Sequence, residues 1–357
     1  MSLTSCFCTS WNKEIVRVLE FRHCNLTFIP QEIYDYEESL EELYLDSNNI
    51  KELPRSLFHC EFLKKLGISD NELCTIPVAV ATLVHLEELD ISKNGIVELP
   101  DNIKCCKNLS LVEISVNPLG RLPEGFTHLI NLTQLYLNDT LLDFLPANFG
   151  RLTKLKVLEL RENHLQSLPK SICRLTELER LDLGQNDFKE LPAVVGTLVN
   201  LKELWIDSNR IVQLPQSIGN LEDLIYFDAS CNRIEYLPDE MEGLRSVADL
   251  HLSRNYLQEL PKNIGKLSKL TTLKMDCNQL SSLPYSIGGL ASLEELTLKA
   301  NDLEEIPASI GLLRKLRYLN IDQNMLLSVP AELGSCSNIT LLSLCGNYLE
   351  VLPDEIG

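Results

Sequence analysis

Two cysteines separated by one residue, Cys6 and Cys8, stand near the N-terminus in the stretch SCFCTS. A pair of thiols at this spacing could bind a metal ion, form a disulfide, carry lipid chains or remain free. The chain has 12 cysteines in all, scattered without a Cys-x-x-Cys pair or a dense cluster at either end. Scattered thiols are typical of a protein from a reducing compartment. The chemistry of the pair therefore depends on the rest of the chain.

Other residue types that could do chemistry do not fall into the spacing of a catalytic or metal-binding site. The phosphate-binding loops G-x-G-x-x-G and G-x-x-x-x-G-K-[ST] are absent, and so is G-x-S-x-G. The neighbours Cys105 and Cys106 are poorly placed to chelate one ion, and the six histidines are spread along the chain. We predict a protein that is not an enzyme and that needs no metal and no cofactor.

The charge of the chain excludes further classes of function. The formal net charge is −19, whereas binding to nucleic acid needs clustered Lys and Arg. The same charge opposes unaided binding to an anionic lipid surface. No stretch is long and apolar enough to span a membrane, and residues 1–15 lack the continuous apolar run of a signal peptide. These features predict a cytosolic protein that binds no nucleic acid.

A repeating unit organises the chain. The segments LEELYLDSNNIKELP, LKVLELRENHLQSLP and LEELTLKANDLEEIP all fit L-x-x-L-x-L-x-x-N-x-L-x-x-L-P. The first repeat step is 24 residues and every later step is 23, which gives fifteen leucine-rich repeat units. We number these units 1 to 15 by their first residues, Val16, Leu40, Leu63, Leu86, Leu109, Leu132, Leu155, Leu178, Leu201, Leu224, Val247, Leu270, Leu293, Leu316 and Ile339.

Each unit predicts its own local structure. The L-x-L alternation predicts a strand with one buried face. The ninth position is Asn in thirteen of the fifteen units, and stacked Asn side chains can bind loop backbone groups of neighbouring units. Cys24 and Thr140 replace it, so we expect a weaker ladder there. Proline at the fifteenth position suits the start of a short helix, and glycine at the nineteenth, as in Gly150, suits a tight turn after it.

Stacked units of this kind predict an α/β fold, an open leucine-rich repeat solenoid or horseshoe. Its concave side would be a parallel β-sheet, and its convex side would hold short helical or 3-10 segments. We expect residues 1–15 to form an N-terminal tail or cap that carries the cysteine pair, and residues 16–357 to form the repeat domain. The last unit stops at Gly357 before it is complete. We therefore expect further repeats or domains to follow.

The concave face is the predicted binding surface. The side chains at the third, fifth, seventh and eighth positions of each unit point away from the core on this face. In units 6 to 11 these side chains include carboxylates, aromatic rings and arginines, and the aromatic rings and arginines are residue types that dominate interface energetics. The alternative is an ordinary solvated surface.

Glu159 and Asp182 would stand about 5 Å apart on adjacent strands, but an open sheet has no cleft that excludes water, as a glycosidase pair requires. We predict a protein partner with a basic surface, and no small-molecule substrate. The predicted contact residues are Tyr136, Glu159, Arg161, Arg180, Asp182, Trp205, Asp207, Tyr226, Asp228 and His251.

The chain resembles the leucine-rich repeat domain of the LAP family, and within it the Erbin–densin branch. The stretch NDTLLDFLPANFGRL carries the resemblance beyond generic leucines and prolines, together with the opening TSCFCTSWNKEIVRVLEFRHCNL. The resemblance implies a cytoplasmic scaffold at the basolateral or junctional membrane that acts in cell polarity and junction organisation. Many members carry a PDZ domain after the repeats, and these residues contain none.

The resemblance also bears on the cysteine pair. LAP proteins are S-palmitoylated at an N-terminal cysteine pair, and the matching residues here are Cys6 and Cys8. Stable anchoring takes two signals, because a single acyl chain binds a membrane only marginally. The second residue is Ser2 rather than Gly, which excludes myristoylation. We therefore expect acylation of both cysteines and a peripheral position at the inner face of the plasma membrane. The alternative is a pair of free thiols.

Two other functions remain open. The first is a regulator of Ras–Raf signalling that acts through the repeats, since scaffolds of that pathway use the same 23-residue repeat class. The second is the recognition module of an enzyme whose catalytic domain lies outside these residues. A kinase or ligase domain encoded after the repeats would favour the second alternative, and a PDZ domain would argue against it.

Overall fold

A single parallel sheet runs through the part of the chain that the structure describes. The computed structural model describes residues 15–356, and within this range fifteen three-residue strands pair in strict chain order without closing on themselves. The predicted fold class, an open leucine-rich repeat solenoid with a parallel sheet, is confirmed. The strands are β1 Val18–Glu20, β2 Glu42–Tyr44, β3 Lys65–Gly67, β4 Glu88–Asp90, β5 Leu111–Glu113, β6 Gln134–Tyr136, β7 Val157–Glu159, β8 Arg180–Asp182, β9 Glu203–Trp205, β10 Tyr226–Asp228, β11 Asp249–His251, β12 Thr272–Lys274, β13 Glu295–Thr297, β14 Tyr318–Asn320 and β15 Leu341–Ser343.

The opposite side of each unit is a short 3-10 helix, and no α-helix occurs between residues 15 and 356. In most units the proline of the fifteenth position immediately precedes the helix, as Pro169 does at φ −65°, because its fixed φ suits the start and its missing N–H leaves nothing unpaired there. The helices are Gln31–Tyr36, Arg55–His59, Val78–Thr82, Asp101–Cys105, Glu124–His128, Phe149–Arg151, Lys170–Arg174, Ala193–Thr197, Gln216–Asn220, Asp239–Gly243, Ile264–Lys266, Tyr285–Gly289, Ala308–Leu312, Ala331–Ser335 and Asp354–Ile356.

Between sheet and helices lies one continuous apolar core. The repeated leucines stack from unit to unit, and in unit 8 Leu178, Leu181 and Leu183 are all fully buried. One unit alone could not bury these side chains, so the stability of each unit depends on its neighbours. This dependence holds the exposed side chains of adjacent strands at a fixed spacing.

The asparagine ladder connects neighbouring units as predicted. The Asn186 Nδ2 group donates to the carbonyl of Leu160 in the preceding unit at 2.8 Å and to that of Leu183 in its own unit at 3.1 Å. Its Oδ1 accepts from the Leu165 N–H at 3.0 Å. These bonds satisfy buried loop groups that the three-residue strands leave unpaired.

Thr140 interrupts this ladder. Its hydroxyl lies 2.8 Å from the Leu137 carbonyl and 2.9 Å from Asn163 Oδ1, which are in its own unit and in the next. The Leu119 N–H of the preceding unit, which an asparagine would bind, donates to the Asn117 carbonyl instead. The side chain of Thr140 therefore makes fewer bonds between units than asparagine does, as we expected.

The glycine of the nineteenth position does not form the tight turn that the sequence suggests. Gly150 lies inside the 3-10 helix Phe149–Arg151, and a Cβ on it would overlap the Ser171 carbonyl group in the next unit. Other glycines of this column, such as Gly196 and Gly219, meet the following unit in the same way. Close approach between successive 3-10 helices, and not a positive φ, is the reason for glycine at this position.

Most of the positive φ angles lie instead at the eighth position, directly before the ninth residue that is usually asparagine; the exceptions among residues 15–356 are Asn25, Gly120 and Leu141. Side-chain-bearing residues occupy it in nearly every unit, for example Glu162 at φ 57° and Gln185 at φ 51°, and unit 15 alone has a glycine, Gly346. The left-handed region costs an L-residue free energy, most of all a β-branched one. Val116 is such a residue, at φ 60° and 44% exposed.

This strain makes Val116 a position where stability can be raised. We expect Val116→Asn to increase the free energy of unfolding by about 0.5–1 kcal/mol, because asparagine tolerates the left-handed region and little packing is lost at an exposed site. Thermal unfolding followed by circular dichroism would measure the gain. Val97→Asn is the matched control, since Val97 is also exposed but does not have a positive φ. An equal effect of both substitutions would contradict the strain argument.

Candidate protein-binding surface

The ten predicted contact residues lie together on the concave face, and we call them the central patch. Eight of them occupy six neighbouring strands, from Tyr136 on β6 to His251 on β11. Arg161 and Asp207 follow β7 and β9 at the seventh position of their units. In each of these six strands the middle residue is buried and its two neighbours lie on the concave side, as Arg180 and Asp182 do on either side of Leu181, although Asp182 is itself only 6% exposed. The patch therefore follows from the strand period and the fixed register of the units.

A row of ring systems crosses the patch from strand to strand. The Trp205 and Tyr226 ring centroids are 4.9 Å apart, and those of Tyr226 and His251 are 5.2 Å apart in an edge-on arrangement. At the other end of the row, the Arg180 guanidinium lies 4.5 Å from the centre of the Trp205 ring. Aromatic and cation–π contacts of this geometry are each worth about 0.5–1.5 kcal/mol. The row is therefore ordered before any partner arrives.

Arg180 also connects the row to carboxylates on both sides. Its Nε atom lies 3.1 Å from Glu159 Oε1, although the N–H does not point at that oxygen, and its Nη1 lies 3.2 Å from Glu203 Oε2. Sequence reasoning missed Glu203, which is at the third position of unit 9. The repeat register could have indicated Glu203, because it places Glu203 directly opposite Arg180 on the paired strands β9 and β8.

A second arginine bridges three units. Arg161 Nε lies 3.0 Å from Asp182 Oδ2, and its Nη1 donates to Asp207 Oδ2 at 3.2 Å. Gly184 lies beneath the guanidinium, and a Cβ there would overlap Arg161. Sequence reasoning missed Gly184 as well. It is the only glycine at the seventh position of any unit, and that isolated occurrence could have indicated a crossing side chain.

Burial and neighbouring charges shift the pKa values of Arg161 and Asp182 in this bridge. Burial disfavours the charged form of Arg161, but the hydrogen bond to Asp207 and the charges of Asp182 and Asp207 outweigh it and raise the pKa of the guanidinium. Burial raises the pKa of Asp182, despite the bonds that its carboxylate accepts from the Gly184 N–H and from Arg161. The bridge is a fixed structural element of the patch.

The two ends of the patch are held by hydrogen bonds to neighbouring side chains. The Tyr136 hydroxyl donates to Gln134 Oε1 at 3.0 Å. At the other end the Tyr226 hydroxyl lies 3.3 Å from His251 Nδ1, which in turn lies 3.7 Å from Asp228 Oδ2. Burial would raise the pKa of Asp228, but the neighbouring His251 imidazole and the hydrogen bond from the Ser230 N–H lower it. Asp228 is therefore an ionised acceptor at neutral pH.

These contacts change how the acidic residues of the patch are interpreted. Glu159 and Asp182 do not form an acid–base pair, since each carboxylate contacts an arginine. The four carboxylates and two guanidiniums of the patch leave a formal charge of −2 with His251 neutral. The surface is moderately acidic, and most of its charge is already paired within the chain.

The remaining candidate residues are placed as follows. Cys105 is partly exposed and Cys106 is buried, where burial and the charge of Cys105 raise the pKa of the Cys106 thiol to about 12. Residues 15–356 contain no cluster of His, Cys, Asp and Glu that could hold a metal ion. They also contain no helix that is long and apolar enough to cross a membrane. Cys6 and Cys8 lie outside the described residues.

Comparison with protein families agrees with this architecture. The family described as "Leucine-rich repeat region" matches residues 143–230, 215–299 and 261–352. The chain belongs to the leucine-rich repeat family. A second family, described as "Leucine rich repeat", matches residues 38–96. Among solved structures, a leucine-rich repeat protein of Leptospira interrogans is 30% identical with a TM-score of 0.80, over 94% of this chain and 91% of that one.

Two relatives lie in the branch that the sequence indicated. Leucine-rich repeat-containing protein 7 of Rattus norvegicus, a densin, is 56% identical over 84 residues, which are 24% of this chain and 6% of that protein. Erbin of Homo sapiens is 54% identical over 65 residues, 18% of this chain and 5% of that protein. The predicted resemblance of these repeats to the Erbin–densin branch of the LAP family is confirmed. The match spans only a small part of each relative's length.

Proposed function

We propose that this leucine-rich repeat domain is a non-enzymatic scaffold that binds a protein partner through the central patch. The observation that carries this proposal is the row formed by Arg180, Trp205, Tyr226 and His251. Because these rings and guanidiniums are already ordered on the open sheet, they lose little further side-chain conformational entropy when a partner covers them. Such residues are also enriched among interface hot spots. An open face spanning six strands suits a protein better than a small molecule, which needs a concave pocket.

The partner can be captured from the patch itself. A photo-crosslinking amino acid such as p-benzoylphenylalanine at Ser230, which is the second residue after the end of β10, would react with a protein bound to the patch. The matched control places the same amino acid at Tyr285, which is 73% exposed in the 3-10 helix on the opposite side. We expect a discrete adduct from position 230 in intact cells and not from position 285. A Ras-pathway protein in that adduct would support the Ras–Raf alternative.

We further propose that the scaffold is tethered to the inner face of the plasma membrane, at the basolateral or junctional membrane, by acyl chains on Cys6 and Cys8. The support is the position of the pair in a stretch similar to the Erbin–densin branch. The physical requirement is that a chain with a net charge of −19 has no electrostatic route to an anionic membrane. Two acyl chains would supply the anchoring that one chain gives only marginally.

Removing both thiols is expected to release the protein from membranes. Acyl-exchange labelling with membrane fractionation would compare the wild type with the Cys6→Ser/Cys8→Ser variant, and we expect a labelled, membrane-bound wild type and an unlabelled, soluble variant. Cys231→Ser/Cys277→Ser is the matched control, since both of these cysteines are exposed within the repeats. A wild type without label, or a variant that stays on membranes, would exclude the anchor.

A further inference from the structure

A second concave feature lies outside the aromatic row, on strands β2 to β6. It is a trough of about 310 Å³. The fifth-position side chains along it run Tyr44, Gly67, Asp90, Glu113 and Tyr136, so that a tyrosine closes each end. Gly67 has no side chain, which leaves space in the floor of the trough. A Cβ at this position would lie 3.0 Å from the Asp46 carboxylate and 3.1 Å from Tyr44 Cδ1.

The tyrosine at each end of the trough is fixed by its own strand. The Tyr44 hydroxyl donates to Glu42 Oε2 at 2.8 Å, and the Tyr136 hydroxyl donates to Gln134 Oε1 at 3.0 Å. Both hydroxyl groups are therefore bonded two residues back along the strand. The rings form preformed end walls, and the carboxylates of Asp90 and Glu113 lie between them together with apolar side chains.

The carboxylates of the floor lack a cation from this chain. Asp90 and Glu113 are direct partners across β4 and β5, and they accept the N–H groups of Ser92 at 3.0 Å and Ser115 at 2.8 Å. Within residues 15–356 neither of them forms an ion pair, whereas Lys65 at the edge of the trough is paired with Glu88 at 3.1 Å. Two neighbouring carboxylates in a partly buried trough repel each other, and a cation placed between them would relieve this repulsion.

In two places on the same sheet face a cation of this chain stacks on an aromatic ring, and in both it is an arginine, whereas Lys65 contacts a carboxylate. Arg22 lies 4.0 Å from the centre of the Tyr44 ring while its Nε is 2.9 Å from Asp46 Oδ2. Arg180 lies over Trp205 between two glutamates in the same manner. In both places a guanidinium stacks on a ring and contacts a carboxylate, which its planar fork allows and an ammonium does not reproduce.

We propose that this trough binds an arginine side chain that a protein partner presents. The inference rests on the proposed role of the concave face in protein binding, and it adds a second anchoring point with a defined chemistry. The guanidinium would contact Asp90 and Glu113, and the aliphatic stem would cover Gly67 between the tyrosine walls. The trough lies beside the central patch and shares only Tyr136 with it, so one extended partner could contact both.

A short peptide provides a direct test. The probe is Ala-Ala-Arg-Ala-Ala with blocked ends, titrated onto the full chain labelled with 3-fluorotyrosine and followed by fluorine NMR. We expect the Tyr44 and Tyr136 signals to shift and the Tyr226 signal to stay. The peptide with citrulline, which keeps the shape of arginine without its charge, should give no shifts, and the lysine peptide should bind more weakly.

Two variants make the test specific to the trough. Asp90→Asn/Glu113→Gln keeps the acceptor oxygens for Ser92 and Ser115 but removes the charges, and we expect it to weaken binding of the arginine peptide about tenfold. The control Asp302→Asn/Glu304→Gln removes two exposed charges elsewhere and should change nothing. Gly67→Ala narrows the floor and should also weaken binding, while circular dichroism checks that it folds.

The outcomes separate this inference from the proposed function. Equal binding of the citrulline or lysine peptide, or no effect of the double variant, would overturn the arginine assignment. Trp205→Ala should leave the affinity for the arginine peptide unchanged, since Trp205 lies outside the trough. If the arginine peptide does not bind while the adduct from position 230 still forms, the trough assignment is wrong and the proposed role of the central patch in protein binding is unaffected.

Discussion

Replacing Asn186 by aspartate is expected to destabilise the repeat domain by about 3–5 kcal/mol. The asparagine is 7% exposed, and its Nδ2 group donates to the carbonyls of Leu160, Leu183 and Gly184 at 2.8, 3.1 and 3.0 Å. An aspartate has the same shape but turns these donors into an acceptor, so that a carboxylate would face three carbonyl oxygens. Urea unfolding followed by circular dichroism would measure the loss.

The control for this prediction is Asn49→Asp, at the position that follows the ladder asparagine in unit 2. Asn49 is exposed, and we expect a change within about 0.5 kcal/mol. Because units depend on their neighbours, the Asn186 variant should also open locally around units 7 to 9, which hydrogen exchange would detect. Equal stability of the two variants would show that the ladder does not hold the units together.

Replacing Trp205 by alanine is expected to weaken partner binding at least about thirtyfold, the effect of a hot-spot residue. The substitution removes the ring that stacks against Tyr226 and carries the Arg180 guanidinium, so the row loses its centre. Arg180 would keep its carboxylate neighbours Glu159 and Glu203. Since Trp205 is only partly buried, we expect a loss of stability of about 1–2 kcal/mol, which leaves the domain folded.

The matched control is Tyr285→Ala, which removes an exposed ring from the opposite side of the solenoid. It should leave partner binding unchanged. Binding that falls equally in both variants would point to a general loss of fold, and thermal unfolding of each variant separates this case. Retention of binding by Trp205→Ala would show that the row is an ordinary solvated surface.

The repeat period made the fold predictable from the sequence. Because every unit repeats the same buried positions, the register of β7, β8 and β9 follows from counting, and so does the placement of Glu159, Asp182 and Trp205 on one face. The asparagine ladder and its interruption at Thr140 were also predictable, since both depend on one residue type at one position. Counting cannot show which backbone conformation each position adopts.

The parts that the sequence did not reveal depend on contacts between units. The pattern suggested a turn at Gly150, but the glycine is needed because the next 3-10 helix packs against it. The left-handed backbone at the eighth position is imposed by the loop geometry and is occupied by residues as unsuited as Val116. The crossing of Arg161 over Gly184 joins residues of three units, so a unit-by-unit interpretation treats the carboxylates of the patch as free when they are largely paired.

Partner binding by the central patch can be tested through the yield of the photo-crosslinked adduct from position 230 in intact cells. This yield is compared between the otherwise wild-type chain and the same chain carrying Trp205→Ala or Tyr285→Ala. We expect one discrete protein adduct that Trp205→Ala abolishes and Tyr285→Ala leaves intact, with all three chains equally folded and abundant. An adduct that survives Trp205→Ala, or the same set of adducts from positions 230 and 285, would contradict the assignment of the central patch as a protein-binding surface.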